Sequence, residues 1–199
     1  MGLDFSYMLY FKKDRLWDAL DAVSAMARPH QPPTLVRFPD HELSIPLATW
    51  SSNHGVLQSD APELDFSTVL YFEEDEAILE YLLALGDEAS DRSPPDSFEP
   101  KRIPIGYIYL TIYTDLSARH PEGNPSNLVL FNFGTTGTRM SLLFDESTSI
   151  RKAFIRLLER VPGVCGVFNR EMDGVLFWIN GRKVSEEIGD PYMLPEEIE

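Results

Sequence analysis

Apolar and polar positions alternate at the start of the chain. Leu3, Phe5, Tyr7, Leu9 and Phe11 interleave with Asp4, Ser6, Met8 and Tyr10, the period-two signature of a strand with two unlike faces. The pattern returns further on: residues 3–14 and 64–75 are identical at eight of twelve positions. In the second copy Leu64, Phe66, Thr68, Leu70 and Phe72 oppose Asp65, Ser67, Val69 and Tyr71. A fainter third copy at 142–147, Leu-Leu-Phe-Asp-Glu-Ser, predicts another strand ending in Phe. Three positions after each terminal Phe stands a residue able to cap a helix: Asp14, Asp75 and Ser147.

Helical spacing follows each copy. Ile150, Ala153, Phe154, Leu157, Leu158 and Val161 fall on one stripe. Ile78, Tyr81, Leu82 and Leu85 make a second, closed by Gly86, and Leu16, Leu20, Val23 and Ala27 a third. Pro29 and Pro162 stop the first and last helices. Each helix is followed by two strand-like runs, at 34–38 and 42–47, at 103–114 and 127–133, and at 164–169 and 174–180.

The pattern thus predicts an α+β fold of repeated β-α-β-β units, at 2–50, 63–133 and 138–181. They would form a largely antiparallel sheet with helices on one face. Residues 1–184 make one domain and 185–199 an acidic tail, with flexible connections at 51–62 and 86–102. In the order of its elements this resembles the effector-binding domains related to gyrase inhibitors and heme-binding SOUL proteins, which use two such units to make a ligand cleft. The resemblance implies a ligand-binding role and transfers no residues.

The greasy row of each strand belongs under the helices, which leaves a second sheet face. The expected site lies there: Asp4, Ser6, Tyr10, Asp65, Ser67 and Tyr71 from the two matching strands, with Tyr107, Tyr109, Tyr113 and Trp178 from later ones. A face this rich in aromatics suits a protein partner, a second copy of the chain as a homodimer, or a small molecule. If the matching strands are related by a pseudo-twofold, Asp4 and Asp65 converge with Ser6 and Ser67.

Charge narrows the choice of partner. The net charge is −15 over 199 residues, which argues against nucleic acid, because phosphate contacts need clustered Lys and Arg. Residues 60–99 hold thirteen acids and one base, whereas 139–183 hold eight bases and five acids. The acidic segment is a second place for a basic partner to dock, as in a regulatory or immunity-like protein. The bases Arg151, Lys152, Arg156 and Arg160 can meet the acids at 73–76 if both helices share a face.

No run of apolar residues suits a membrane span and no secretory leader heads the chain, so a cytoplasmic location is expected. The single cysteine, Cys165, excludes an internal disulfide and reads as a small core residue. Chemistry is sparse. His30, His41, His54 and His120 share no metal-ligand spacing, and Asp40-His41-Glu42 reads as turn chemistry. The run Gly134-Thr135-Thr136-Gly137-Thr138 lacks the P-loop lysine and is expected to lead into a strand. The expectation is a binding or interaction protein without cofactor or metal, using the aromatic face or the acidic segment, or else a small-molecule module on the tyrosine-rich face. An enzyme is the least favoured reading.

Overall fold

A computed structural model describes residues 2–50, 55–86, 101–116 and 127–192. Along the chain come β1 (Ser6–Lys12), α1 (Leu16–Ser24), β2 (Thr34–Arg37), β3 (Glu42–Ile45), β4 (Val56–Gln58), β5 (Glu63–Glu73) and α2 (Glu76–Leu85). Then follow β6 (Arg102–Tyr113), β7 (Leu128–Gly134), α3 (Thr138–Glu146), α4 (Thr148–Arg160), β8 (Gly163–Asn169), β9 (Gly174–Ile179) and β10 (Arg182–Ile188). Seven strands form one antiparallel sheet in the order β10-β9-β8-β1-β7-β6-β5, and β3-β2-β4 form a small second sheet. The architecture is α+β.

β1 lies at the centre of the large sheet, paired with β7 on one side and β8 on the other. A strand flanked on both sides and covered on both faces is apolar throughout, and residues 6–11 are all buried. Tyr7, Leu9 and Phe11 pack in the larger core with Leu16, Leu20, Phe154 and Leu158 from the helices. Rows from β5, β6 and β7 join them, including Phe66, Phe72, Leu110, Phe131 and Phe133. The buried apolar residues of all four helices belong to this core, so the helices cover one face, as the alternation predicts. Each such Leu or Phe contributes about 1.5–3 kcal/mol on burial, which makes these rows the main source of stability.

Two helix caps are as expected. The Asp75 carboxylate accepts the Ile78 N–H at 3.0 Å, and the Ser147 hydroxyl accepts that of Ile150 at 3.1 Å. Asp14 does not cap. It falls in a 3-10 turn, Lys13–Arg15, and α1 starts with no side-chain cap.

The third copy departs most. Residues 142–144 are helical, inside α3. Met140, Leu143 and Phe144 are buried while Leu142 is exposed, which is a helical i, i+3, i+4 spacing and not an alternation. Gly134-Thr135-Thr136-Gly137-Thr138 therefore leads into a helix. Two of its hydroxyls serve the segment just before β1: Thr138 Oγ1 accepts the Leu3 N–H, and Thr135 shares a hydrogen bond with Ser141, whose hydroxyl donates to the Leu3 carbonyl. The matching segments also differ in place, β1 being central and β5 at an edge. The expected start of the tail, at 185, falls inside β10, which pairs with β9.

The second sheet face is largely closed. Met8, Tyr10, Leu128, Leu130, Cys165, Val167 and Leu176 form a second buried cluster on it. The chain after β10 runs back against it: the Asn169 amide donates to the Tyr192 hydroxyl at 3.1 Å, and Pro191 packs by Gly174. Burial pushes the Cys165 thiol up to about 12, slightly offset by a backbone hydrogen bond from Gly166.

Candidate functional site

The pairing registers divide the expected site residues. Across the second face one row runs Ser67, Tyr109, Gly134, Ser6, and the next runs Asp65, Thr111, Asn132, Met8. Ser6 and Met8 on the central strand are buried, whereas Ser67, Asp65 and Tyr109 near the β5 edge are reached by solvent. What remains open of this face is its β5–β6 end.

An aromatic shelf stands there. Tyr107 and Tyr109 project from β6 and are 67% and 44% exposed. A third ring comes from outside the sheet. The Ser67 N–H donates to the Ala48 carbonyl at 2.9 Å, and Thr49 Oγ1 donates to the Asp65 carbonyl at 2.7 Å. These bonds lay residues 48–50 along the β5 edge and bring Trp50 to 5.8 Å from the Tyr109 ring, itself 56% exposed. Opposite Tyr109 on β7 is Gly134, whose missing side chain leaves the Tyr109 flank uncovered. Beside the rings the Asp65 carboxylate accepts a hydrogen bond from Thr111 at 3.0 Å. The shelf thus offers three large rings, two hydroxyl groups and one oriented carboxylate.

Other expected members lie elsewhere. Tyr10 is fully buried between Leu130 and Cys165, because it sits on the central strand. Tyr113 is buried in the same cluster, packed with its cross-strand neighbour Leu130. Trp178 belongs to the helix-side core and donates its indole N–H to the Gly163 carbonyl at 2.9 Å. The register shifts between Gly166 and Val167, and a shift of one residue sends the side chains beyond it to the other face. Tyr71 continues the row of Asp65 and Ser67, since its neighbours Leu70 and Phe72 both stay in the helix-side core, and it is half-buried; its backbone N–H donates to the Met26 carbonyl at 2.9 Å, beside a separate cleft between α1 and α4.

Asp4 and Asp65 do not converge. Asp4 lies four residues from the Asp65 row and three strands away, roughly 14 Å across and 13 Å along the sheet. Asp4 is exposed, and its N–H donates to the Glu171 carboxylate at 2.6 Å.

Part of the acidic segment is engaged within the fold, while Asp60, Glu63, Glu76 and Glu80 are exposed. Glu73 pairs with Arg156, Glu74 pairs with Lys101 at 2.8 Å, and Asp75 caps α2. Residues 87–99 of that segment lie outside the described residues. Asp40 and His41 form an exposed pair at 2.8 Å, with the His41 ring stacked 4.3 Å from Phe38, which is turn packing. That hydrogen bond from His41 holds the Asp40 carboxyl below its usual range. His54 and His120 lie outside the described residues. Among the described residues no three His, Cys, Asp or Glu side chains are grouped to hold a metal ion, and no helix is long and apolar enough to cross a membrane.

Trp50 is the shelf member that alternation does not reveal. Its signal in the sequence is a lone Trp heading the polar run Ser51-Ser52-Asn53. Fold and shelf together define an α+β protein with a helix-covered antiparallel sheet and an aromatic patch on the opposite face. No protein-family model matches the chain, and no curated protein or solved structure matches it significantly, so the architectural likeness to effector-binding domains finds no support there.

Proposed function

We propose that this chain is a non-enzymatic, cytoplasmic binding protein that docks a protein partner on the shelf formed by Trp50, Tyr107 and Tyr109. The observation that carries the reading is the grouping of three exposed aromatic rings on one small area of a strongly acidic protein. Trp and Tyr dominate the centres of interfaces because they bury large area at little conformational cost. The Asp65 carboxylate beside them suits a partner with a basic or hydrogen-bonding group near its apolar anchor. The net charge of −15 turns away anionic polymers and favours a basic partner.

The test is capture from native extract by the wild-type chain and by Trp50→Ala and Tyr109→Ala variants, at low salt and at about 1 M salt, where charge contacts are screened beyond about 3 Å. A partner held by the shelf survives high salt and is weakened about tenfold or more by either substitution. A partner released by salt and indifferent to both substitutions would instead be held by acidic surface, and the shelf reading would be wrong.

A further inference from the structure

The cleft that Tyr71 lines concentrates the opposite charge. It lies between α1 and α4 at the end of β5, and its volume is about 150 Å³. Ala22, Met26, Phe72, Ala153 and Leu157 give it an apolar floor. Ser149, Ala153, Arg156, Leu157 and Arg160 stand at i, i+4, i+7, i+8 and i+11, so a single face of α4 supplies its length.

Arg156 and Arg160 reach its rim from α4, and Arg102 from β6. One acid, Glu73, lines it against these three guanidinium groups. Glu73 is paired with Arg156, and that hydrogen bond, with the nearby charges of Arg102 and Lys152, holds its carboxyl below the usual range. Arg160 has no ion pair among the described residues. Its place in the last turn of α4 complements the helix dipole. Three guanidinium groups against one carboxylate give the cleft lining a positive excess in a chain of net charge −15.

We propose that this cleft binds a small amphipathic organic carboxylate, with its anionic head between Arg160, Arg156 and Arg102 and its apolar body over Phe72, Leu157 and Met26. A void of this size holds about one benzene ring, so the body is a single ring or a short alkyl chain. Arginine suits the head because its planar fork donates two parallel hydrogen bonds to a carboxylate. The site is independent of the shelf, which faces the other side of the sheet.

Isothermal titration of the full chain with phenylacetate and hexanoate tests this, with phenylacetamide and hexanol as neutral counterparts and inorganic phosphate as a headgroup without a body. The carboxylates are expected to bind, with the neutral compounds and phosphate each about tenfold weaker or more. Arg160→Met, an exposed position whose change leaves the core untouched, is expected to weaken the carboxylates about tenfold while lowering the ligand-free melting temperature by no more than the few degrees that loss of its helix-dipole contact costs. Arg156→Gln should weaken them as well, and Tyr109→Ala should leave them unchanged. The proposal is overturned by equal binding of acid and amide, by phosphate binding as well as the acids, by unaltered affinity in Arg160→Met, or by no binding of either acid.

Discussion

Replacing Asp75 by alanine is expected to destabilise the protein by about 2 kcal/mol, because this one side chain caps two helices. Its Oδ1 accepts the Ile78 N–H at the start of α2, at 3.0 Å. Its Oδ2 accepts the Ser149 N–H at 2.9 Å and the Ser147 hydroxyl at 2.8 Å, at the start of α4. The two N-termini thus share one carboxylate. A lost cap costs about 1 kcal/mol, and a charged acceptor between two positive dipole ends belongs at the upper part of that scale. Asp75 is only half-buried, so water replaces part of what is lost, and the sum stays near two caps.

Burial alone raises the Asp75 pKa, but the hydrogen bonds from Ser149, Ile78 and Ser147 outweigh it and hold the carboxyl below its ordinary range. A depressed folded pKa lends stability above the unfolded value of about 3.9, and that stability is lost as pH falls through the folded value. Urea denaturation followed by tryptophan fluorescence should show a lower midpoint with an unchanged slope for Asp75→Ala at neutral pH. The gap between wild type and Asp75→Asn should shrink as pH falls below about 4. An Asp75→Ala variant within about 0.5 kcal/mol of wild type, or a gap that widens in acid, would refute the shared-cap argument.

Two further outcomes follow from buried polar groups. Thr68 is buried on the helix-side row of β5 with a hydroxyl that has no hydrogen-bond partner among the described residues, so Thr68→Val, which keeps the branched shape, should stabilise the fold by about 1 kcal/mol in urea titration; destabilisation would show that the hydroxyl is satisfied. Tyr7, fully buried, donates to the Phe144 carbonyl at 3.1 Å, and burial pushes its phenol up to about 12 against the opposing pull of Arg151. A raised folded pKa means that its contribution is complete below about 10 and is lost as pH rises towards 12. Tyr7→Phe should therefore cost about 1 kcal/mol at neutral pH and lessen the alkaline loss of stability, followed by circular dichroism, whereas an identical alkaline midpoint would count against it.

Much of the fold is legible in the sequence because burial leaves a periodic trace. The alternation in β1 and β5 and the stripe on α4 are local, and both report which side faces the helices. Legibility fails where the trace is ambiguous or the cause is distant. Leu142-Leu143-Phe144 is apolar in succession, and only the exposure of Leu142 separates helix from strand. Tyr10 and Tyr109 look alike as strand tyrosines, yet one lies on the central strand and the other on the second strand from the edge, and strand order is a long-range property. Trp178 changes face through a register shift that no residue type announces.

The two candidate sites were unequally visible for the same reason. Asp65, Ser67, Tyr107 and Tyr109 share a face by alternation, so part of the shelf can be read from two strands. The cleft draws Met26 from just after α1, Tyr71 and Phe72 from β5, Arg102 from β6 and Arg160 from α4, and no spacing links them. Net charge hides it further, since the acids elsewhere set the sign of the whole chain. Yet the excess of bases between 139 and 183 is local, and α4 carries Arg156 and Arg160 beside the apolar stripe that docks it on the sheet. The packing that buries Phe154 and Leu158 thereby also holds those charges at the end of β5. Charge placement here is a consequence of helix phase, and a pattern used to find the core also locates the positive site at its edge.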